Sequence, residues 1–588
     1  MDPRFPMNSM KRFTGVLSAL LLAAALFMVS SCDGFLEDPG PVGSLNAETF
    51  YRTPDEFRSA IYASYAAQLN FYYQQFGRGW YQGMTLPSDD VMNNPNSVSD
   101  IDAFNWKPSG GSGVGNFWSQ SYEGIAKANL VLRELKDAPI SEEKKASFRG
   151  EARFLRGYYH FLLARLFGNP PIVKSYLASS IDSINVGNQD QSPEDVYNFI
   201  EADFKAAMEQ LPAQREDMNS GRVVSGTAAA YLGKTHLFHA QWFDAPSHYE
   251  DAVSALEAVV NSGTYGLLDN YESTFEIPQE NGKYSLYEIQ NQKGGQGFTN
   301  PWLPPDFGAL GADGNARHIS FGAAGGVPDD GVQAPGANVQ GYGVFFPTEP
   351  LRDAFETYED GEDRNDPRRF STYFLEGETY SPRECNVPAS YTGEGSDTTE
   401  VSVDPCPFLS GYGFNGATFS KYMRPFEFLP QPPLFTNNER IMRYADVLLM
   451  LAEAELLGNG NAARAAELVN RVRSRARSDY EFACSNGAVN LACDDSTVTQ
   501  DDVLPPVEAG NLTHADIRYE RRVELATEGK RYNDLARWHR AGLIDIPFDI
   551  DFGSGQANEN WTEQNLLRPI PQTRLDNNTN LVQNSRYD

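Results

Sequence analysis

The sequence predicts a mainly α protein, in which a tetratricopeptide-like helical-repeat scaffold carries a large, irregular, loop-rich lobe. Segments with apolar residues at helical spacing arrive as pairs. The clearest pair is 441–457 and 462–477, joined by a Gly-Asn-Gly-Asn turn within about 34 residues, the length of a tetratricopeptide unit. Between about 271 and 438 this periodicity gives way to glycine, proline and aromatic residues. Helix pairs that cannot bury their apolar faces alone are expected to stack.

The composition indicates a folded and strongly acidic protein. The chain has 588 residues, a formal net charge of -31, 41% hydrophobic residues and 12% aromatic residues. Such a charge repels nucleic acid and anionic ligands over roughly 8 Å at physiological salt. Neutral or cationic ligands are therefore favoured, and a nucleic-acid partner is not expected.

The amino terminus has the pattern of a lipoprotein signal peptide. Lys11 and Arg12 precede an apolar run that leads through small residues into Cys32. As a helix, this run reaches only about 21 Å at about 1.5 Å per residue, short of a hydrocarbon core of roughly 30 Å. We predict a signal peptide at 1–31, lipidation of Cys32 and a tether over 32–45; an ordinary secretory peptide is the alternative.

Residues 46–270 are predicted to form the first helical-repeat part. Thr53 to Glu56 is a capping box that opens a helix to about Leu69. Ser141 caps a helix ending at Phe167, before Gly-Asn-Pro-Pro. A second capping box opens at Ser192, and helices at about 226–242 and 249–261 form a looser copy of the repeat.

A loop lobe is predicted over 71–118, where periodicity disappears and regular structure is not expected. Aromatic rings stack on the C–H faces of sugars, and neighbouring polar side chains can bond hydroxyl groups, so this lobe suits a neutral polyhydroxylated ligand. The alternative is that the aromatic residues cover the hydrophobic core. The candidate ligand-binding residues are Arg78, Trp80, Tyr81, Asp89, Asp90, Asn93 and Trp106, with Trp302 from the insertion.

The irregular insertion at 271–438 is read as a second lobe on the repeats, and 439–588 as the second helical-repeat part. In this last part, 518–538 interleaves opposite charges with apolar residues. Internal salt bridges are the favoured explanation of this pattern, and a ligand site is the alternative.

Four cysteines besides Cys32 are disulfide candidates in an oxidising compartment. Proximity favours Cys385 with Cys406 and Cys484 with Cys493, although three connectivities are possible. Their spacing fits no zinc pattern. No metal site and no cofactor are predicted.

Three catalytic fragments fail on context. The Gly233-Lys234-Thr235 sequence resembles the end of a phosphate-binding loop, but Ala228 stands where its first glycine belongs. His236 and His239 lie one helical turn apart without the glutamate of a metalloprotease motif, which indicates an ordinary helix face. The adjacent Asp89 and Asp90 could serve a glycosidase, but such pairs more often accept local hydrogen bonds.

Eight segments form a pattern that extends, in order, along nearly the whole chain after the lipobox. They are Ala152–Tyr159, Leu166–Pro171, Arg443–Met450, Ala452–Ala454, Ile517–Leu525, Glu528–Tyr532, Pro569–Gln572 and Asn580–Asn584. Together they resemble the SusD/RagB family of nutrient-binding lipoproteins of Bacteroidota outer membranes.

This resemblance implies a cell-surface, lipid-anchored protein of the outer membrane. It implies capture of oligosaccharides without catalysis and their delivery to a SusC-like TonB-dependent transporter. The RagB branch implies peptide capture instead, whereas a glycosidase or a pure assembly scaffold is less favoured. The resemblance also implies that the loop residues form the ligand site and that the helical motifs are scaffold.

Overall fold

The computed structural model describes most of the chain after the predicted signal peptide and tether. The described residues are 50–93, 100–110, 115–176, 186–215, 221–291, 297–298, 310–311, 345–356, 366–375, 379–380, 386–388, 400–402, 409–410, 417–421, 438–485, 500–553 and 555–587. Residues 53–588 belong to one compact unit. In the described segments, no helix has the length and apolar character needed to cross a membrane. Cys32 lies outside these segments.

Six long helices form the first part of the fold. They are α1 (Pro54–Trp80), α2 (Gly115–Glu134), α3 (Glu142–Phe167), α4 (Pro193–Gln210), α5 (Ser225–Trp242) and α6 (Ser247–Val260). The predicted caps are confirmed: Thr53 and Glu56 bond reciprocally, Ser141 accepts from the backbone of Lys144, and Ser192 forms a capping box. These bonds satisfy backbone N–H groups that have no partner inside the helix.

The prediction that the first helix ends near Leu69 is wrong. Helix α1 continues to Trp80 and is followed by a π-helical turn at Tyr81–Thr85. No proline lies between Asp55 and Thr85 to interrupt the backbone hydrogen bonds, and α1 packs along α2. The prediction that 71–118 lacks regular structure is therefore wrong for the end of α1 and the π-helical turn. It is also wrong for the start of α2 at Gly115.

The helices pack in successive pairs, which confirms the helical-repeat prediction. Helix α1 packs against α2, α3 against α4, and α5 against α6. The looser repeat copy is the α5/α6 pair, where Gly233 allows close approach to Leu256. Each pair also contacts the next, so the apolar faces form a continuous core.

Short strands, turns and two α-helices form the described pieces of the predicted insertion lobe, and two of its strands pair with strands outside it. Strand β1 (Val91–Asn93) pairs antiparallel with β5 (Phe345–Pro347), and β2 (Ser285–Ile289) pairs with β12 (Glu439–Arg443). Helices α7 (Glu349–Glu356) and α8 (Arg368–Thr372) lie between β5 and β12 in the chain. The remaining short strands are β3 (Gly297–Phe298), β4 (Leu310–Gly311), β6 (Tyr373–Leu375), β7 (Thr379–Tyr380), β8 (Asn386–Pro388), β9 (Glu400–Ser402), β10 (Leu409–Ser410) and β11 (Ala417–Phe419).

The carboxyl-terminal part contains the predicted 441–477 helix pair with one correction. Its first member, α9 (Tyr444–Ala454), begins after β12, so Ile441 is in a strand rather than in the helix. A π turn at Glu455–Asn459 leads to α10 (Ala462–Arg477), and α6 packs against α9 to join the two helical parts. The other helices are α11 (Tyr480–Ser485), α12 (Gln500–Val503), α13 (His514–Glu524), α14 (Arg531–Arg540), α15 (Ile546–Asp549), α16 (Gly555–Asn560) and α17 (Gln572–Asn577).

Candidate functional site

Asp89 and Asp90 are buried in ion pairs with two arginines. Both carboxylate oxygens of Asp89 accept hydrogen bonds of 2.8 Å from Arg531, and Asp90 accepts one of 2.8 Å from Arg522. Burial raises the pKa of Asp89, but the charges of Arg522 and Arg531 outweigh this effect and lower the pKa to about 2. These aspartates therefore fix the loop after α1 to α13 and α14.

The position of Trp106 corrects the stacking role predicted for it. Its indole N–H donates to the carbonyl of Ile101 at 3.0 Å, and its side chain belongs to a core cluster with only 5% exposure. The guanidinium of Arg568 lies 3.3 Å from the ring centroid, and Tyr532 meets the ring edge-on. The ring is already covered by protein, as the core alternative predicted.

Among the other predicted site residues, the structure describes the side chain of Asn93 alone. Asn93 is buried on β1 opposite Phe345. Arg78 and Trp80 lie in the last turn of α1 and Tyr81 opens the π turn, but their side chains are outside the described part. Trp302 is also outside it.

Cys484 is disulfide-bonded, which supports the prediction that it is a half-cystine. Cys385, Cys406 and Cys493 lie outside the described residues, so the predicted connectivity stays a prediction.

A cavity of about 660 Å³ opens beside the buried Asp89. Its walls come mainly from α7, α13 and α14, together with the segment that contains α15. Its volume falls within the usual range for small-molecule sites, about 300–1,000 Å³. Only Asp89 among its lining residues was a predicted site residue.

The cavity wall combines hydrogen-bonding groups with apolar surface. Asp353 of α7 and Arg518 and Tyr519 of α13 supply polar atoms, while Leu535 and Ile544 supply apolar ones. Such a mixed lining can hold a ligand with many hydroxyl groups or a peptide with polar side chains.

One exposed aromatic residue directly precedes cavity-lining residues in the sequence. Phe548 of α15 is 86% exposed, and the following residues Asp549 to Asp551 line the cavity. Its neighbours in the sequence give no periodic signal, and so sequence reasoning did not select it. The alternative of a ligand site within 518–538, in contrast, did point to the α13 wall.

A buried ion network lies behind this wall and confirms the salt-bridge prediction for 518–538. Glu520 and Glu524 are 0% exposed, and Glu528 is 3% exposed. Arg443 bonds both oxygens of Glu528 at 2.7 and 2.9 Å and Glu524 at 2.9 Å. Arg368 bonds Glu520 at 2.6 Å. The network connects α13 to β12 and α8 and holds the cavity wall in place.

The phosphate-loop fragment is also structural. Lys234 is buried in α5 and donates to Asp446 of α9 at 3.2 Å. Burial lowers the pKa of Lys234 to about 7, because the charged ammonium is removed from water. The fragment is helical and has no loop that could surround a phosphate.

Two family models match separate parts of the chain. One, described as the SusD family, matches residues 328–587, and the other, described as starch-binding associating with outer membrane, matches residues 70–237. SusD-like protein P2 of Formosa agariphila is 26% identical over 557 residues, covering 93% of this chain and 95% of that protein. A SusD-like protein of Bacteroides ovatus is 25% identical and covers 89% of this chain and 82% of its own length.

Solved structures share the fold over nearly the whole chain. A laminarin binding SusD-like protein matches with a TM-score of 0.64 and 23% identity, covering 91% of this chain and 100% of that chain. Surface glycan-binding protein A from Bacteroides thetaiotaomicron, in complex with laminarihexaose, matches with a TM-score of 0.62 and 19% identity, covering 90% and 99%. The family models, the relatives and the paired-helix fold agree: the chain belongs to the SusD family.

Proposed function

We propose that this protein captures a neutral oligosaccharide at the cell surface and delivers it to a SusC-like TonB-dependent outer-membrane transporter, with Cys32 as its lipid anchor. The observation that carries the proposal is the fold match, over about nine tenths of the chain, to structures described as laminarin binding and as a laminarihexaose complex. The acidic charge of -31 agrees with a neutral ligand.

The cavity beside α13 is the proposed ligand site. Tyr519 and Arg518 supply hydrogen-bonding groups in its wall, and the exposed Phe548 supplies an apolar ring beside Asp549. Proteins bind sugars by stacking an aromatic ring on the apolar face of the sugar and by hydrogen-bonding its hydroxyl groups. Trp80, Tyr81, Arg78 and Trp302 stay predicted as further contacts.

We propose binding without hydrolysis. A glycosidase needs two carboxyl groups with different roles across the scissile bond. Asp89 and Asp90 are side by side and buried; Arg531 bonds both oxygens of Asp89, and Arg522 bonds one oxygen of Asp90. This arrangement supports a structural role for both aspartates.

The test is calorimetric titration of the purified protein with laminarihexaose and with malto-oligosaccharides. We expect micromolar binding, about -7 to -8 kcal/mol. Phe548→Ala and Trp80→Ala should each weaken binding by about fivefold to tenfold, because one stacking ring contributes roughly 1 kcal/mol. After incubation with the protein, the oligosaccharides should keep their original length, because no hydrolysis is expected.

The matched control is Tyr62→Ala, which removes another exposed aromatic ring, 41% exposed on α1. Its affinity should equal that of the unchanged protein. No sugar binding at millimolar concentration would overturn the proposal, and so would equal losses in all three variants.

Cationic peptides are the second candidate ligands. Asp549 and Asp551 are exposed beside the cavity, and the net charge of -31 attracts cations. Peptide binding that weakens with salt, combined with no sugar response, would favour this RagB-like function.

Membrane attachment and delivery have their own test. Cys32→Ser removes the thiol that would be acylated and should deplete the protein from the outer-membrane fraction, whereas Cys484→Ser should leave it attached. Co-purification of a TonB-dependent transporter with the unchanged protein is expected; its absence would remove the delivery step.

A further inference from the structure

Three consecutive helices bring two histidines and a glutamate to one point. Glu201 lies on α4, His236 on α5 and His248 on α6. The Nδ1 atoms of His236 and His248 are 3.0 Å apart. Glu201 Oε1 lies 3.2 Å from the first nitrogen and 3.6 Å from the second. The three helices therefore place three potential metal-ligand atoms in a small triangle.

The size of this triangle fits one tetrahedral metal ion. Zinc binds histidine nitrogen and carboxylate oxygen at about 2.0–2.2 Å, so its ligand atoms stand roughly 3.3–3.6 Å from one another. The observed separations of 3.0, 3.2 and 3.6 Å are close to these values. Small side-chain rotations would complete the geometry.

The surroundings resemble those of a metal site. His239 Nδ1 lies 2.7 Å from the same oxygen of Glu201, and metal-bound carboxylates are usually held by such hydrogen bonds. The Asp251 carboxylate lies 3.9 Å from His248 Nδ1 and adds negative charge beside the cluster. The ligand side chains are 11–19% exposed, so an ion can enter from solvent.

We propose that His236, His248 and Glu201 bind one divalent transition-metal ion, with zinc as the best match, and that this ion connects α4, α5 and α6. Imidazole nitrogen and carboxylate oxygen are the donor types that zinc takes in proteins. From the sequence, an ordinary helix face is predicted on His236 and His239 alone, and that prediction does not include Glu201 and His248. Those two residues come from other helices.

The test is titration of the purified, tag-free, chelator-treated protein with Zn²⁺ by calorimetry. We expect one ion per chain. His236→Ala and His248→Ala should each weaken binding by at least about 100-fold, as should the nearly isosteric Glu201→Gln. Zn²⁺ should raise the thermal midpoint of the unchanged protein and leave that of these variants unchanged.

The matched control is His539→Ala, because His539 also pairs with a carboxylate, that of Glu563, but lies outside the cluster. Its zinc affinity should be unchanged. Co²⁺ provides a readout that does not depend on any variant folding: tetrahedral coordination in the unchanged protein gives an intense visible absorption band, whereas octahedral coordination gives a weak one.

Two results would overturn the proposal. The first is no Zn²⁺ binding and no visible Co²⁺ band in the unchanged protein, which would make the cluster a hydrogen-bonded network. The second is zinc binding that survives in all three ligand variants, which would place the ion elsewhere. Neither result depends on the sugar titrations.

Discussion

Glu453 and Arg537 form a two-bond ion pair in the centre of the helical scaffold. The guanidinium donates to the two carboxylate oxygens at 2.6 and 2.8 Å, and both side chains are 0% exposed. Trp538 also donates to Glu453, at 2.7 Å, and so does Gln241, at 2.8 Å. One carboxylate on α9 thus connects α14 and α5 across the two helical parts.

Arg537→Ala should lower the free energy of unfolding by about 3–5 kcal/mol, because it leaves the Glu453 charge buried without its main partner. Urea unfolding followed by circular dichroism measures this change. The control is Lys127→Ala, which removes an exposed partner of Glu123 and should cost less than about 1 kcal/mol. Equal losses of unfolding free energy in the two variants would show that the buried pair stabilises the protein no more than the exposed one.

Acid should destabilise the protein through Glu524 and Glu528. Burial raises the pKa of Glu528, but Arg443 and Lys421 outweigh it and lower the pKa to about 2. Glu524, beside Arg475 and Arg443, also has a pKa of about 2 despite burial. A glutamate in the unfolded chain has a pKa of about 4.3, so it binds a proton at pH values where the folded glutamate does not. The stabilisation is therefore complete above about pH 5 and disappears as the pH falls toward about 2.

Unfolding free energies measured between pH 6 and pH 2 would check this prediction. Glu528→Gln should lower the stability at neutral pH and reduce the slope at acid pH, because one titrating group is removed. A slope identical to that of the unchanged protein would contradict the assignment to Glu528.

Trp106→Ala should act on stability and not on ligand affinity. The substitution removes a core ring that covers Arg568, and a cost of about 3–5 kcal/mol is expected. Trp106→Phe keeps an aromatic ring and should cost less. Denaturant unfolding and oligosaccharide titration of the folded variants separate the two effects; lost affinity with unchanged stability would restore the stacking role.

Gly233→Ala should destabilise the α5/α6 pair. A Cβ atom at this position would lie 2.5 Å from Leu256 Cγ and 3.2 Å from the carbonyl of Ala252. The clash should lower the unfolding free energy by about 1–3 kcal/mol. Gly266→Ala is the control, since its nearest neighbour would be Lys283 Cδ at 3.7 Å, and its thermal midpoint should hardly change.

Sequence reasoning predicted the helical scaffold well because its signals are local. Caps at Thr53, Ser141 and Ser192 depend on residues three positions apart, and all three formed as expected. The end of α1 was missed because aromatic and polar residues after Leu69 obscure the periodicity without stopping a helix. The strand at Ile441 was missed because its pairing with β2 joins distant parts of the chain.

The candidate site was harder to predict, because burial depends on contacts between distant residues. Asp89 and Trp106 have the composition of a ligand-binding loop, yet Arg531 and Arg568, more than four hundred residues later in the chain, take up their polar and aromatic surfaces. Phe548 has no local signal, since no sequence pattern distinguishes an exposed ring from a buried one, and the sequence indicates the cavity wall only through the alternative of a ligand site within 518–538.

The helix pairs, their caps, the acidic character and the family resemblance follow from spacing, charge and motif order, which are properties of the chain alone. Which charges pair, which rings are covered and which histidines meet Glu201 depends on how the chain folds. The physical reason is that desolvation and ion pairing act between side chains close in space, and folding brings such side chains together from helices far apart in sequence.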